Sequence, residues 1–376
     1  MVKIPFNRPF LCGGERRYIE ESLAGSCISG SGRFVARASE LLQLHLGSPR
    51  VMLTPSCTSA LEMAALLLDL GPDDEVLVPS FTFVSTVNAI VLRGARPVFV
   101  DIRPDTKNID LELARRAVTD RTRAIFLVHY AAYGCEMEGF TALAAERGLE
   151  LVEDAAQCVG ASYRGRPLGS FGALSTFSFH ETKNVICGEG GALAVNDPEL
   201  VPRAEIIQEK GTNRSQFFRG EVDKYTWVDV GSSFLLGDLP AAFLLAQLES
   251  MERINAQRLA LWHRYRELLA PLAEQGRLEL PPEVDGCEHN GHIFYVLLPD
   301  RVTRDRVMDG MKARGIQCVF HYQPLHAAPM GQRYGYGPGD LPVTERVADT
   351  LLRLPLFGEL TLDEVQLVAD ELSALV

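Results

Sequence analysis

The runs 75-EVLVPS-80, 97-PVFVD-101, 124-AIFLVHY-130 and 150-ELVED-154 decide the fold. They are short, and several are apolar throughout, as strands covered on both faces must be. Segment 58–70 before them and segments 83–94, 110–118 and 138–148 between them carry apolar residues at helical spacing. Two more runs, 175-STFSF-179 and 192-ALAV-195, follow. Strands alternating with helices predict an α/β domain with a mostly parallel central sheet. Right-handed crossovers then bring the strand C-termini, and any ligand, to one edge of that sheet.

Beyond residue 200 the rhythm changes. Residues 238–271 form one long helical pattern halted at Pro271, and Pro281-Pro282 marks a break. After it come a strand at 292-HIFYVLL-298, a helix at 302–314, a short strand at 316–320 and two terminal helices. This pattern predicts a large domain over 1–247 and a smaller C-terminal α+β domain over 248–376. The stretch 211–233 is polar, Gly-rich and irregular, and a loop of that length inside a compact domain is more often functional than idle.

Composition narrows the function classes. The chain has 376 residues, 37 basic and 49 acidic, for a formal charge of −12. No basic run stands out, which argues against a nucleic-acid groove or an anionic membrane surface. No window of 18 uncharged apolar residues occurs, so no membrane-spanning helix is expected. The eight cysteines form no CxxC pair, which argues against a zinc ribbon or a secreted disulfide framework and favours a reducing cytosol. No metal site is expected.

Three weak signals converge on the expected ligand edge. Asp154 ends the strand in 151-LVEDAAQCVGA-161; taken alone it reads as a turn-capping aspartate. Lys183 sits in 176-TFSFHETKNVICGEGGALAV-195, an almost uncharged Ser/Gly-rich setting. Desolvation there lowers a lysine pKa, which an amine needs to form a Schiff base. In 54-TPSCTSALEMAALLL-68, Thr58 and Ser59 open a helix, where free N–H groups, hydroxyls and the helix dipole suit a phosphate, though a plain N-cap looks the same. A phosphate cradle, a carboxylate and a lysine at one sheet edge are the set that pyridoxal 5′-phosphate asks for. The Gly188–Gly191 run does not follow a strand as GxGxxG and reads as a tight turn. His129 ends a strand and is a candidate for the substrate pocket. His180 is compatible with packing or with cofactor contact. His321, Tyr322 and His326 in 320-FHYQPLH-326 either close a substrate cleft or pack the small domain.

The motifs TPSCTSALEMAALLL, GPDDEVLVPSFTFVSTVNAI, PVFVDIRPDTKNID, EDAAQ, FSFHETKN and GEGG, in this order, resemble the DegT/DnrJ/EryC1/StrS family of sugar aminotransferases. The resemblance runs over essentially the whole chain and implies the fold-type I, aspartate aminotransferase-like architecture. It implies that Lys183 carries the cofactor as an imine and moves the proton, and that Asp154 faces the pyridine nitrogen. Gln157 would reach the phenolic oxygen, Phe81 would stack on the ring, and Thr58, Ser59 and Ser178 would hold the phosphate. It further implies amino transfer from L-glutamate to C4 of a dTDP-linked 4-keto-6-deoxy sugar, in a cytoplasmic homodimer with shared active sites. Other nucleotide-linked keto sugars are the alternative, and Lys183 argues against a PMP-dependent sugar dehydratase, whose relatives carry histidine there. Many relatives place an Asn before the long helix to reach the partner's phosphate. Here Ser232 and Ser233 stand instead, so Asn213 or Arg214 is expected to substitute.

Overall fold

The structure, a computed structural model, describes residues 3–376. Its strands in chain order are β1 (Arg50–Thr54), β2 (Glu75–Pro79), β3 (Arg96–Val100), β4 (Thr122–Val128), β5 (Glu150–Asp154) and β6 (Ser162–Tyr163). There follow β7 (Arg166–Pro167), β8 (Leu174–Ser178), β9 (Gly191–Val195), β10 (Cys287–Glu288), β11 (Phe294–Leu297) and β12 (Leu351–Leu354). Seven of them make one sheet in the order β1-β9-β8-β5-β4-β2-β3. β3, β2, β4, β5 and β8 pair parallel, while β9 runs antiparallel to both β8 and β1. The mostly parallel sheet is therefore present, with β1 as an edge strand that was not among the runs read from sequence. β2, β8 and β9 are buried along their whole length because helices cover both faces.

Two apolar clusters lie on opposite faces of this sheet, one around Phe34, Leu127, Phe140 and Leu244 and one around Met63, Val78, Phe126 and Leu193. A third gathers Trp262, Tyr265, Phe294, Leu352 and Val368 with Ile4 from the other end of the chain. A fourth, containing Phe81, Tyr130, Tyr133, Tyr295 and Val347, fills the seam where the C-terminal elements meet the ligand edge of the large sheet.

The long helical pattern departs from expectation. It divides at Ser250 into Asp238–Glu249 and Met251–Glu274, and the second helix runs through Pro271. Pro271 lies on the exposed face, as does Glu267 one turn earlier, so water can satisfy the carbonyl that the proline leaves unbonded while Leu269 and Leu272 stay buried. The strand expected at 316–320 is reduced to isolated bridges, Ile4 to Ile316 and Val319 to Arg353. The partner of β11 is instead β12, antiparallel, with Phe294 opposite Leu354. Among the described residues no helix is long and apolar enough to cross a membrane.

Candidate active site

Alternation along β5 sends Glu153 and Asp154 to opposite sides, and their surroundings diverge accordingly. Glu153 is fully buried and accepts hydrogen bonds from the backbone N–H groups of Gly169 (2.9 Å), Phe171 (2.6 Å) and Gly172 (2.7 Å). His129 Nε2 adds a fourth contact at 2.9 Å. These donors hold the Glu153 carboxyl below its ordinary range despite burial. The Cys135 N–H donates to His129 Nδ1 at 3.2 Å, so Nε2 carries the hydrogen that points to Glu153. His129 is thereby consumed inside the protein. The expectation that it lines the substrate pocket is corrected: a strand-end residue facing Glu153 cannot also face the cleft.

Asp154 does face the cleft. Thr86 Oγ1 donates to its Oδ2 at 2.7 Å, and the Ala156 N–H reaches its Oδ1 at 3.2 Å. The Thr82 hydroxyl lies 2.9 Å from that of Thr86 and supplies it with a hydrogen bond. Burial pushes the Asp154 pKa up; Thr86, Ala156 and Lys183 oppose it.

Lys183 lies in the turn between β8 and β9, which the topology places at the C-terminal edge of the parallel strands. Burial lowers its pKa and Arg353 adds to this, while Cys57 and Asp154 act in the opposite direction. The turn packs directly on the helix Cys57–Leu67. A Cβ on Gly191 would sit 2.4 Å from the Cys57 nitrogen and the Ser56 carbonyl carbon, so only glycine allows this approach.

That helix start is shaped for an anion. Ser56 caps it, its Oγ accepting from the Ser59 N–H at 3.1 Å. The N–H groups of Cys57 and Thr58 find no hydrogen-bond partner among the described residues. Thr58 and Ser85 share a hydroxyl contact of 2.7 Å, and both line the cleft with Ser178 and Gly190. Ser59 does not line it; its hydroxyl turns to Ser56, 3.1 Å away. Unpaired N–H groups, converging hydroxyls, a buried carboxylate and a half-buried lysine around one cleft of about 440 Å³ fit pyridoxal phosphate.

The remaining candidates separate by position. Gln157 lines the cleft, accepting from the Ala131 N–H at 2.6 Å and donating to Tyr322 Oη at 3.3 Å. His321 and Tyr322 also line it, with His321 Nδ1 3.0 Å from Tyr130 Oη. His180 sits on the rim with Nδ1 2.9 Å from Thr182 Oγ1. Phe81 does not reach the cleft: it is fully buried, edge-on to Tyr130 and Tyr322 at 5.1 and 5.4 Å. Phe83, 59% exposed, is the phenylalanine of this motif that lines it, because the chain turns between the two residues to start the helix Val84–Leu92. His326 is likewise buried, fastened to Ser80 Oγ (2.8 Å) and Glu345 (3.0 Å) as a tie between the end of β2 and the C-terminal segment. Asn213 Oδ1 accepts from the Thr226 N–H, and Arg214 pairs with Glu209 at 3.3 Å; neither lines this chain's cleft. The 211–233 stretch is less polar on its surface than its sequence implied, exposing Phe218, Tyr225 and Trp227.

Of the cleft residues not singled out from sequence, Arg353 and His292 bear most on its chemistry. Arg353, on β12, lines the cleft above the Phe6 ring (4.7 Å), has no acidic partner among the described residues, and leaves its buried Nε without a hydrogen bond. A lone arginine inside the apolar run LLRLPLF was the available signal. His292, beside β11, also lines the cleft.

A model of the DegT/DnrJ/EryC1/StrS aminotransferase family matches residues 13–373. The uncharacterized protein MJ1066 of Methanocaldococcus jannaschii is 32% identical over 97% of this chain and 96% of its own. The aminotransferase TlmJ of Streptoalloteichus hindustanus superposes with a TM-score of 0.90 at 30% identity, covering 100% of this chain and 98% of its own. The putative sugar aminotransferase Spr1654 of Streptococcus pneumoniae, in its PMP form, gives 0.93 at 24% identity over 99% of each chain.

Proposed function

Because the chain belongs to the DegT/DnrJ/EryC1/StrS aminotransferase family, with its fold-type I architecture and its use of pyridoxal phosphate, we propose that it is a nucleotide-sugar aminotransferase. It takes the amino group of L-glutamate and places it on C4 of a dTDP-linked 4-keto-6-deoxy sugar. The product is of the dTDP-4-amino-4,6-dideoxygalactose type. The stretches 209-EKGTNRSQFFRGEVDKYTWVDVGSS-233 and 351-LLRLPLF-357 resemble such enzymes and support this substrate. The observation that carries the reading is one cleft holding Lys183, Asp154 and the unpaired Arg353.

Bound pyridoxal phosphate supplies an electron sink for the donor and acceptor carbons. Asp154, whose ionised form the Thr86 and Ala156 hydrogen bonds favour against the upward push of burial, would stabilise positive charge at the ring nitrogen. The helix start with Thr58, Ser85 and Ser178 would hold the phosphate, and Phe83, not the buried Phe81, is the residue of that motif available to the ring. Lys183, whose lowered pKa favours the free amine, would hold the cofactor and would be the base that moves the proton. Arg353 binds a carboxylate of the amino-acid donor: a half-buried guanidinium without a carboxylate of its own needs an anionic ligand.

The working division remains 1–247 and 248–376, supported by the separate apolar cluster of the C-terminal elements. The exposed aromatics of 217–227 support a homodimer in which Asn213 or Arg214 reaches the partner's site, and the chain's charge and free cysteines are compatible with the cytoplasm. Purified protein is expected to be yellow and to bleach with glutamate. A panel of nucleotide-linked keto sugars, with NMR of the products, then tests the acceptor; amination at another carbon, or of none, overturns the substrate assignment.

A further inference from the structure

His292 is 4% exposed, yet its ring borders the cleft and also a small hollow shared with Lys183, Asn184, Gln157 and Ser178. Its orientation follows from hydrogen-bond bookkeeping. Asn290 Nδ2 donates to the carbonyls of Gln157 (2.8 Å) and Val159 (3.0 Å), and Asn290 Oδ1 accepts from the His292 N–H (3.0 Å). Asn255 Nδ2 donates to the Val159 carbonyl at 3.1 Å, leaving its Oδ1 as an acceptor. Asn184 Nδ2 uses both hydrogens, on Asn255 Oδ1 and on the Asn290 carbonyl, each at 2.9 Å. Every amide is therefore oriented by a backbone carbonyl, and none can flip without losing that bond. Asn184 Oδ1 faces His292 Nδ1 at 3.0 Å. A carbonyl oxygen only accepts, so Nδ1 carries the hydrogen and Nε2 is left with a bare lone pair.

The charged and titratable groups around the ring keep it neutral. Lys183, Arg258, Arg353 and His321 surround it, and with burial they hold its pKa well below the ordinary histidine range. Arg258, itself buried, binds the carbonyls of Gly291, His292 and Leu356 and pins the segment in place.

We propose that His292 is a positioning residue for Lys183: its Nε2 accepts a hydrogen bond from the lysine amine, directly or through one water, and so fixes where the amine's lone pair points. This rests on the proton-carrying role given to Lys183 above. Asp154 could also attract that amine, but it would draw the nitrogen toward the ring-nitrogen side of the cleft. A neutral acceptor too weakly basic to keep the proton orients the lysine and leaves it as the base.

The tautomer is tested without catalysis. In the 15N-histidine-labelled apoprotein, the signals lost in His292→Gln identify the ring. Two-bond 15N–1H correlations should show a neutral Nδ1–H imidazole from about pH 5 to 8, the range where an unperturbed histidine changes charge. An Nε2–H tautomer, or an imidazolium in that range, overturns the proposal. Two variants then separate the ring's two nitrogens in the loaded enzyme. His292→Asn keeps the contact with Asn184 and loses the acceptor aimed at the cleft; His292→Gln places an amide oxygen near the Nε2 position. Mixed with glutamate, His292→Asn should bleach roughly tenfold or more slowly, the scale of a misplaced reacting group, with melting temperature and cofactor content unchanged, and His292→Gln should recover part of the rate. Equal rates in all three, or equal losses in both variants with lowered melting temperatures, refute the role. If glutamate fails to bleach the wild type, the aminotransfer reading fails, while the 15N result still decides the state of the imidazole.

Discussion

Thr86→Val removes one hydroxyl and tests what favours the ionised form of the Asp154 carboxylate. The Thr86 hydroxyl donates to Asp154 Oδ2 at 2.7 Å inside a fully buried environment. Hydrogen bonds to charged groups contribute roughly 1.5–3 kcal/mol, which at about 1.36 kcal/mol per pKa unit moves Asp154 upward by about one to two units. Burial has already raised this pKa above that of an exposed aspartate, and Thr86 opposes the rise. A carboxyl whose folded pKa lies above its unfolded value costs stability as pH climbs through that window, so the variant extends the loss to higher pH. The measurement is the melting temperature of the cofactor-free variant and wild type from about pH 4 to 8, where carboxylate linkage is read. The deficit should be smallest at the acid end, where both proteins approach the protonated form of Asp154, and grow toward neutrality. Cofactor affinity should fall in parallel, and Thr86→Ser should restore both. A deficit of equal size at every pH would mean that Thr86 fills space and does not hold the charge.

Lys183→Ala should fold normally but lose the yellow colour, and borohydride reduction of the wild type should label the peptide containing Lys183; a label elsewhere refutes the assignment. Asp154→Ala should bind cofactor more weakly and lose most turnover, and near-normal kcat would contradict its role. Arg353→Gln should raise KM for glutamate by roughly ten- to a hundredfold, the 1.5–3 kcal/mol of a charged hydrogen bond, with KM for the keto sugar little changed. A reversed pattern would assign Arg353 to the nucleotide sugar. Glu153→Ala, which strands His129 and three backbone N–H groups in the interior, should cost about 3–5 kcal/mol by analogy with a broken buried pair. Urea denaturation measures it, and a loss under 1 kcal/mol would show that water replaces the carboxylate.

The sheet was legible because its signal is local. A strand covered on both faces must be apolar along its length, as in 75-EVLVPS-80 and 124-AIFLVHY-130, and the helices between have no other way to close parallel pairs. The ligand edge follows from parallel strands joined by right-handed crossovers, which is why the sequence alone brings Lys183, Asp154 and Thr58 together. What lay beyond sequence depends on direction. Phe81 and Phe83 are two residues apart in one motif, and only the turn into the helix Val84–Leu92 sends one into the core and the other into the cleft. His129 and His326 look like site residues until Glu153, Glu345 and Ser80 arrive from distant segments to take up their nitrogens. Arg353 and His292 come from segments more than a hundred residues after Lys183, and their proximity to it depends on the C-terminal elements docking on the seam around Tyr130 and Tyr295. Residue type and period are written along the chain; which polar groups neutralise one another, and which remain free to meet a ligand, is settled only when distant segments pack.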